Sequence, residues 1–312
     1  MRGLVHRPWL GPLLALFATY LLFVVLAPDT FARSTNLVTM ARQTVIVAIA
    51  AVGMTFVIVL GGIDLSVGSS VALTTVVVAS ALRAGAGSVA AALLGILVAS
   101  SAGLAVGLLI AWFRMAPFIV TLGAMSVLRG AAKGLAHEQK IDVDSGGLDA
   151  LLGPSHALAP PGLWIALFVS IAGAVVLHLT RFGRHVFAVG SNENAARLCG
   201  VRVARTKTVV YVAAAALAGL AGVMEFSTLT VGDPTDSVGL ELEVIAAVVI
   251  GGASLSGGEG SIAGSMAGAC LMTVIRTGGT HVGLSAWVEE ILTGAIIVVA
   301  VGFDRFRQRK RV

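Results

Sequence analysis

GGIDLSVGSS, residues 61–70, lies between two long apolar runs and carries one carboxylate, Asp64, among glycines and serines. A single helix from residue 44 to residue 82 would be about 57 Å long at 1.5 Å per residue. That length is nearly twice the hydrocarbon core of a membrane, which is about 30 Å thick. The chain is therefore predicted to turn near Gly61, and the turn separates two membrane-crossing segments.

Asp64 has two possible roles at this turn. Gly61 and Gly62 can end the first helix, while Asp64 or Ser66 can accept hydrogen bonds from the first free amides of the next helix. A carboxylate at a helix N-terminus is also stabilised by the helix dipole. Alternatively, Asp64 binds a substrate hydroxyl or forms a gate, because ionisable groups at membrane depth often mark a pathway.

The composition of the whole chain is that of an integral membrane protein. Of its 312 residues, 57% are hydrophobic and only 12% are charged, and the mean hydropathy is +0.97. Soluble domains are about 45 to 50% apolar and roughly 25% charged. We therefore expect residues 1–312 to form a single all-α, polytopic membrane bundle, with no appended soluble domain.

Apolar windows predict about ten transmembrane helices. The first is too long for the core of a secretory signal, so it is expected to remain as a membrane helix. The fifth contains Arg129, and the eighth is too short to cross alone, so both are candidates for irregular helices. The windows are 9–27, 44–60, 65–82, 89–112, 118–134, 162–180, 209–226, 241–252, 261–276 and 286–303.

The distribution of charge predicts that both termini are cytoplasmic. With Arg2 and Arg7 inside, six crossings place residues 181–208 inside, and ten crossings place the tail inside. Both segments are rich in arginine, whereas the predicted outer loop, residues 134–162, is mainly acidic. This pattern follows the positive-inside rule. It explains the net charge of +5 without nucleic acid as a partner.

A second stretch, GGASLSGG at residues 251–258, resembles the first. Gly-interrupted segments in corresponding positions can mark the site of a repeat-built transporter, which makes Ser254 and Ser256 candidates for a translocation path. However, both stretches are predicted on the inner side, which does not suit an inverted repeat, and such strings also match by chance. The predicted helix-break glycines are Gly61, Gly62, Gly68, Gly251, Gly252, Gly257 and Gly258.

The fifth span, PFIVTLGAMSVLRG at residues 117–130, brings polar side chains into the membrane. Its candidate path residues are Thr121, Ser126 and Arg129. A buried cation needs a partner or a water-filled cavity. Arg129 could instead extend to the outer surface, with its aliphatic stem in the apolar region.

The inner loop contains SNENAARLCGVRVARTK, residues 191–207. Ser191 or Asn192 can cap a short helix over residues 193–198, with Glu193 in its first turn and Gly200 at its end. A short capped helix between two spans is a docking surface for a partner. The alternative is a solvated basic loop that only fixes topology.

Several chemistries have no sequence motif here. The chain contains no phosphate-binding G-x-x-x-x-G-K-[ST] loop and no nucleophile elbow. Its two cysteines, Cys199 and Cys270, offer neither a disulfide framework nor metal-ligand spacing. We therefore predict a transport subunit that is not an enzyme and binds no cofactor or metal, so that energy for uphill transport enters through another subunit.

Four segments together resemble the membrane permease subunits of ribose-type sugar ABC importers, a family related to the branched-chain amino acid permeases. They are GGIDLSVGS at 61–69, PFIVTLGAMSVLRG at 117–130, FGRHVFAVGSNENAARLCGV at 182–201 and AAVVIGGASLSGGEGSIAGS at 246–265. The resemblance covers nearly the whole chain. The outer stretch HEQKIDVDSGGLDALLGPSHALAPP, residues 137–161, departs from the family pattern.

The resemblance implies the function and the partners. The expected subunit lies in the bacterial inner membrane and transports a ribose-, xylose- or galactose-like monosaccharide. Its expected partners are an ATPase that carries ATP and Mg²⁺, a periplasmic or lipid-anchored sugar-binding protein, and a second permease copy in a homodimer or heterodimer. The residues that match the family's ATPase-coupling loop, within 181–208, are Asn192, Glu193, Ala195, Ala196 and Gly200.

Two other functions are kept open by the sequence. The same fold allows import of a branched-chain amino acid or a nucleoside. A stand-alone secondary transporter or channel is a different class, but it would have no use for a docking helix and would need ion-coupling groups in the membrane.

Overall fold

The computed structural model describes residues 10–153 and 159–309. This part of the chain is almost entirely helical, with one 3₁₀ turn at Leu148–Leu151 and a short antiparallel ladder between β1 (Ile141–Asp142) and β2 (Val231–Gly232). The α-helices are α1 Leu10–Leu26, α2 Ser34–Val59, α3 Val67–Arg83, α4 Ser88–Ala111, α5 Pro117–Leu135, α6 Pro161–Leu179, α7 Arg181–Ser191, α8 Glu193–Leu198, α9 Val203–Leu229, α10 Leu240–Ile250, α11 Ile262–Val282 and α12 Ala286–Arg309.

Each apolar window predicted from the sequence overlaps one helix, so the all-α prediction is confirmed. Within the described residues, α2, α4, α5, α6 and α9 are long and apolar enough to cross a membrane, and α1 and α3 are shorter apolar helices. The figure of about ten spans and the cytoplasmic termini remain predictions. Arg2, Arg7, Lys310 and Arg311, on which the orientation partly rests, lie outside the described residues.

Short helices α3 and α10 both begin inside the bundle. At 11 residues, α10 is about 16 Å long, roughly half of a membrane core. The starts of the two helices meet, because a Cβ atom at Gly68 of α3 would overlap the Glu241 carboxylate of α10 and the Ser237 carbonyl before it. The starts of α3 and α10 therefore face each other inside the bundle, and α10 is too short to cross a membrane alone.

Helices α3 and α10 have similar packing partners. Helix α3 packs against the next two helices, α4 and α5, and against α9; helix α10 packs against the next two helices, α11 and α12, and against α2. In this packing pattern, α3 and α10 occupy corresponding positions. The similar stretches GGIDLSVG and GGASLSGG are not equivalent, because the first follows α2 and the second follows α10.

Small residues permit the closest helix packing. Helices α4 and α9 meet along Gly103 and Gly107, where a Cβ atom would lie 2.6 Å from the carbonyl oxygen of Tyr211 and 3.0 Å from Cα of Thr208, respectively. Close approach of this kind is typical of membrane helices that pack through small residues. It holds α9 at the centre of the bundle.

The bundle has two ends, which are named here by their landmarks. The α7–α8 end holds α7, α8, the end of α2 and the loop after α10. The ladder end holds β1, β2 and the 3₁₀ turn. The short helix over residues 193–198 is confirmed as α8, whereas α7 is an additional helix in a segment that the sequence left as loop.

Candidate functional site

Three glycine-bearing segments meet at the α7–α8 end, and we call this contact the glycine junction: Gly61 after α2, Gly190 in α7, and Gly257 and Gly258 after α10. The amide of Gly258 donates to the Val59 carbonyl over 2.8 Å. A Cβ atom at Gly257 would lie 2.7 Å from the Gly190 carbonyl oxygen. The two similar sequence stretches therefore touch each other, with α7 against both.

The predicted helix-break glycines divide into two kinds. Gly61, Gly252, Gly257 and Gly258 have φ between 76° and 94°, a region that favours glycine. Gly62, Gly68 and Gly251 are required instead by close packing, since a Cβ atom at Gly62 would overlap the Tyr211 hydroxyl. Gly68 is not at a break, because it lies within the first turn of α3.

Asp64 stabilises the turn before α3. Its Oδ1 accepts hydrogen bonds from the Ser66 amide at 2.8 Å and the Ser66 hydroxyl at 2.6 Å, and the residue is only 4% exposed. Among the described contacts, neither Asp64 nor Ser66 accepts from the first free amides of α3, so the expected cap is not formed. Asp64 instead fixes the residue at which α3 begins.

Two helices place polar groups beside this turn. The Thr121 hydroxyl of α5 donates to the Ile63 carbonyl at 3.2 Å. The Tyr211 hydroxyl of α9 is buried next to Gly62 and has no hydrogen-bond partner within the described chain. The turn is thus a small polar region inside an apolar bundle.

A charged cluster surrounds the meeting point of α3 and α10. We define it as Arg129, Glu225, Asp236, Glu241, Glu243 and Arg276, which interact electrostatically with one another. Glu243 is 8% exposed, whereas the Arg276 side chain, 3.5 Å from the Glu243 carboxylate, is 68% exposed. The cluster therefore reaches from the bundle interior to an open face of this chain.

Arg129 anchors the segment that leads into α10. Its Nη1 donates to the Pro234 carbonyl at 3.1 Å and also to the Asp236 carbonyl. The half-buried Arg129 side chain is therefore bound to the backbone of the chain before α10. Ser126, on the same helix, donates only to the Leu122 carbonyl of its own turn at 3.4 Å.

The predicted path residues do not form one site. Asp64, Ser66 and Thr121 lie at the turn before α3, and Arg129 lies in the charged cluster. Ser254 and Ser256 lie in the loop after α10 that carries Gly257 and Gly258, at the α7–α8 end, where the Ser254 hydroxyl accepts from the Ser256 amide at 3.2 Å.

The predicted coupling residues form a well-defined helix, α8. Asn192 is its cap, since the Asn192 side chain accepts from the Ala195 amide at 2.9 Å, and Gly200, with φ of 83°, follows its end. Glu193 makes ion pairs with Arg197 at 2.8 Å and with Lys207 of α9 at 2.7 Å. Ala196 is buried, while Ala195 is exposed. The Glu193 carboxylate thus joins α8 to α9 within the chain.

At the ladder end, an ion pair connects the outer segment to the entrance of α10. Lys140 Nζ lies 2.9 Å from Asp233 Oδ2. Burial alone would raise the pKa of the Asp233 carboxyl, but hydrogen bonds from Thr235 and Lys140 hold that pKa below its ordinary value. The hydrogen bond to Asp233 and its charge raise the pKa of Lys140.

Several cluster residues could not be assigned from the sequence. Glu225, Glu241 and Glu243 occur singly or in alternation within two apolar windows, and only the fold brings them near Arg129 and Arg276. The available signal was an acid inside an apolar span, which is costly and usually functional. In the described part of the chain, these acids do not form a group arranged to hold a metal ion.

Comparison with known proteins supplies the family. A family model described as the permease component of the branched-chain amino acid transport system matches residues 36–301. The chain is 36% identical over 309 residues to the ribose import permease protein of Escherichia coli K12, covering 97% of this chain and 96% of that protein. No solved structure matches.

Two further relatives agree in length and class. The ribose import permease protein of Bacillus subtilis is 38% identical, with 95% of this chain and 92% of that protein covered. The L-arabinose ABC transporter permease protein of Azospirillum brasilense is 36% identical, with 96% and 87% covered.

Proposed function

Because this chain belongs to the family of permease components of branched-chain amino acid transport systems, we propose that it is the membrane-spanning subunit of an ATP-driven sugar importer. It is a multi-pass membrane protein with a transport role. Sugar is favoured over amino acid because relatives that match nearly the whole chain are named for ribose and arabinose. The substrate is a monosaccharide of that size.

The charged cluster is the proposed contact with the sugar. A monosaccharide is neutral and presents many hydroxyl groups, each able to donate and to accept a hydrogen bond. Carboxylates accept and guanidinium groups donate, so Glu243 and Arg276 together offer both functions at a partly open face. Weak binding is sufficient there, because a separate binding protein would supply selectivity.

The glycine junction is the observation that carries the proposed mechanism. It places α7, which leads directly into α8, against the end of α2 and the loop after α10. The end of α2 leads into the start of α3, and the loop follows the end of α10; the starts of α3 and α10 meet at the charged cluster. A shift of α7 would thus be transmitted to α3 and α10 without a long chain of contacts.

The proposed partners follow from this arrangement. An ATPase subunit with ATP and Mg²⁺ docks on α8 at the α7–α8 end, which is then cytoplasmic, and a sugar-binding protein docks at the ladder end. A second permease copy, identical or different, covers the open face of the charged cluster. The location that suits this assembly is the bacterial inner membrane.

Affinity purification from the native membrane tests the proposed class. Tagged full-length protein should retain an ATPase subunit, and Lys207→Met should weaken that association because it leaves Glu193 with one partner instead of two. Lys133→Met removes a lysine from the exposed surface of α5 and serves as the matched control. Purification without any ATPase, combined with ATP-independent uptake, would instead identify a stand-alone transporter.

A further inference from the structure

A cavity at the α7–α8 end gathers arginines from three separate segments. It has a volume of 540 Å³ and is lined by Trp112 and Arg114 of the α4–α5 turn, Arg197 of α8, and Arg202 and Arg205 at the start of α9. None of these arginines belongs to the glycine junction or to the charged cluster. Arg197 lies on α8, where the ATPase is proposed to dock, but the proposed transport mechanism assigns no role to Arg114, Arg202 or Arg205.

The positive charge of the cavity favours the binding of an anion. The eight residues that line it, all in the described chain, include four arginines and no carboxylate. Glu193 neutralises Arg197 from outside the lining, with Nη2 to Oε1 at 2.8 Å. Like charges gathered in one concave site repel each other, and an anion bound between them relieves that repulsion.

The apolar surroundings place the cavity at the surface of the membrane. It lies where the 24-residue apolar helix α4 ends, and the side chains of Trp112 and Phe113 at that end are 69% and 73% exposed. Tryptophan is enriched at membrane interfaces, at the depth of the lipid headgroups. Phe118, at the start of α5, continues this exposed apolar surface.

The backbone at this corner is also unusual. Arg114 has φ of 53°, which is uncommon for a residue with a side chain and is retained where the surroundings require it. This conformation belongs to the turn that brings Arg114 to the same cavity as Arg202 and Arg205.

We propose that this cavity binds the phosphate headgroup of an anionic phospholipid, with the acyl chains lying along the exposed apolar surface of α4 and α5. Basic pockets between membrane helices bind such headgroups by charge and by hydrogen bonding from guanidinium groups. The site is independent of the transported substrate, so it can be tested without identifying the sugar.

Lipid titration of the purified full-length protein, followed by native mass spectrometry, tests the site. Phosphatidylglycerol should bind, and phosphatidylcholine with the same acyl chains should not. The double variant R202Q/R205Q should weaken phosphatidylglycerol binding by about tenfold or more. The control R181Q/R184Q removes two exposed arginines of α7 outside the cavity lining and should bind lipid as the wild type does.

Two further measurements separate the lipid from other anions. Inorganic phosphate at millimolar concentration should not displace the lipid, and displacement would identify a free-anion site and overturn the proposal. Equal lipid binding by R202Q/R205Q and the wild type would also overturn the proposal. If that variant also no longer co-purifies with the ATPase, the two arginines contact the ATPase and not a lipid. Arg114→Gln, on an exposed turn, repeats the test if the double variant does not fold.

Discussion

At the level of single residues, Asp64 is the clearest example of a side chain whose role changed between sequence and structure. Its carboxylate was expected to cap α3 or to contact substrate. In the structure, one oxygen accepts two hydrogen bonds from Ser66, and the turn it stabilises fixes where α3 begins. A buried polar group that loses its partner costs about 1–3 kcal/mol, so the turn depends on this carboxylate.

Replacement of Asp64 distinguishes the two roles. Asp64→Asn keeps an oxygen that can accept from Ser66 and should retain most of the transport and thermal stability. Asp64→Ala leaves the buried Ser66 amide and hydroxyl without that acceptor and should lower the melting temperature in detergent and reduce transport. If both variants melt as the wild type does and both lose transport completely, Asp64 contacts substrate or forms the gate.

Gly190 is the most restrictive residue of the glycine junction. A Cβ atom there would overlap the Val59 carbonyl oxygen, and overpacking of this kind typically costs about 1–3 kcal/mol. Gly190→Ala should therefore lower stability and abolish transport. Gly130→Ala, in α5, adds a methyl group to open space and serves as the control. Equal melting temperatures of the two variants would contradict the claim that close packing at Gly190 stabilises the protein.

At the level of helices, the segment from β2 to α10 is held from two sides. Arg129 binds the Pro234 and Asp236 carbonyls from α5, and Lys140 binds Asp233 from the ladder end. Both contacts are made to the chain immediately before a half-length helix. The position of α10 therefore depends on α5 and on the outer segment.

Arg129→Met tests the anchor from α5. It removes both hydrogen bonds and the positive charge beside Glu241 and Asp236, so we expect transport to fall by at least tenfold, about 1.4 kcal/mol at the level of the barrier. Ser126→Ala removes only a bond within its own helix and should transport normally. Normal uptake by Arg129→Met at wild-type expression would show that transport does not depend on the Arg129 anchor.

Lys140→Met tests the contact at the ladder end through its pH dependence. The lowered pKa of Asp233 means that its contribution to stability is present above about pH 3.9 and is lost as the pH falls through the lowered value. The raised pKa of Lys140 means that its contribution is present below about pH 10.4 and is lost as the pH rises through the raised value.

The difference in melting temperature between wild type and Lys140→Met should accordingly be constant from about pH 5 to pH 9. Lys133→Met, whose lysine is exposed on α5, should show no such difference at any pH. A difference that disappears between pH 6 and pH 7 would show that another group titrates at this contact.

At the level of the whole molecule, the sequence predicted local structure better than long-range contacts. Apolar length located the helices, and the Asn192 cap and Gly200 located α8, because these signals depend on neighbouring residues. Helix α7 was missed because its glycines and arginines are typical of a loop, although its Gly190 packs against Val59 at a distance in sequence.

The charged cluster shows why the long-range contacts could not be predicted from the sequence. Glu225, Glu243 and Arg276 lie in three different helices, and no spacing along the chain relates them. Only the packing of these helices in the folded chain brings the three charged groups to one place. Their proximity is a property of the topology, which one sequence does not reveal.

At the same scale, the chain is the proposed membrane subunit of an importer in which energy enters at α8 and the substrate passes the charged cluster. The most direct test is uptake of radiolabelled ribose, arabinose or leucine into proteoliposomes that contain this chain, its ATPase and its binding protein. We predict uptake of a pentose that requires ATP and is lost in Gly190→Ala. Uptake that needs no ATP, or uptake of leucine alone, would contradict the account.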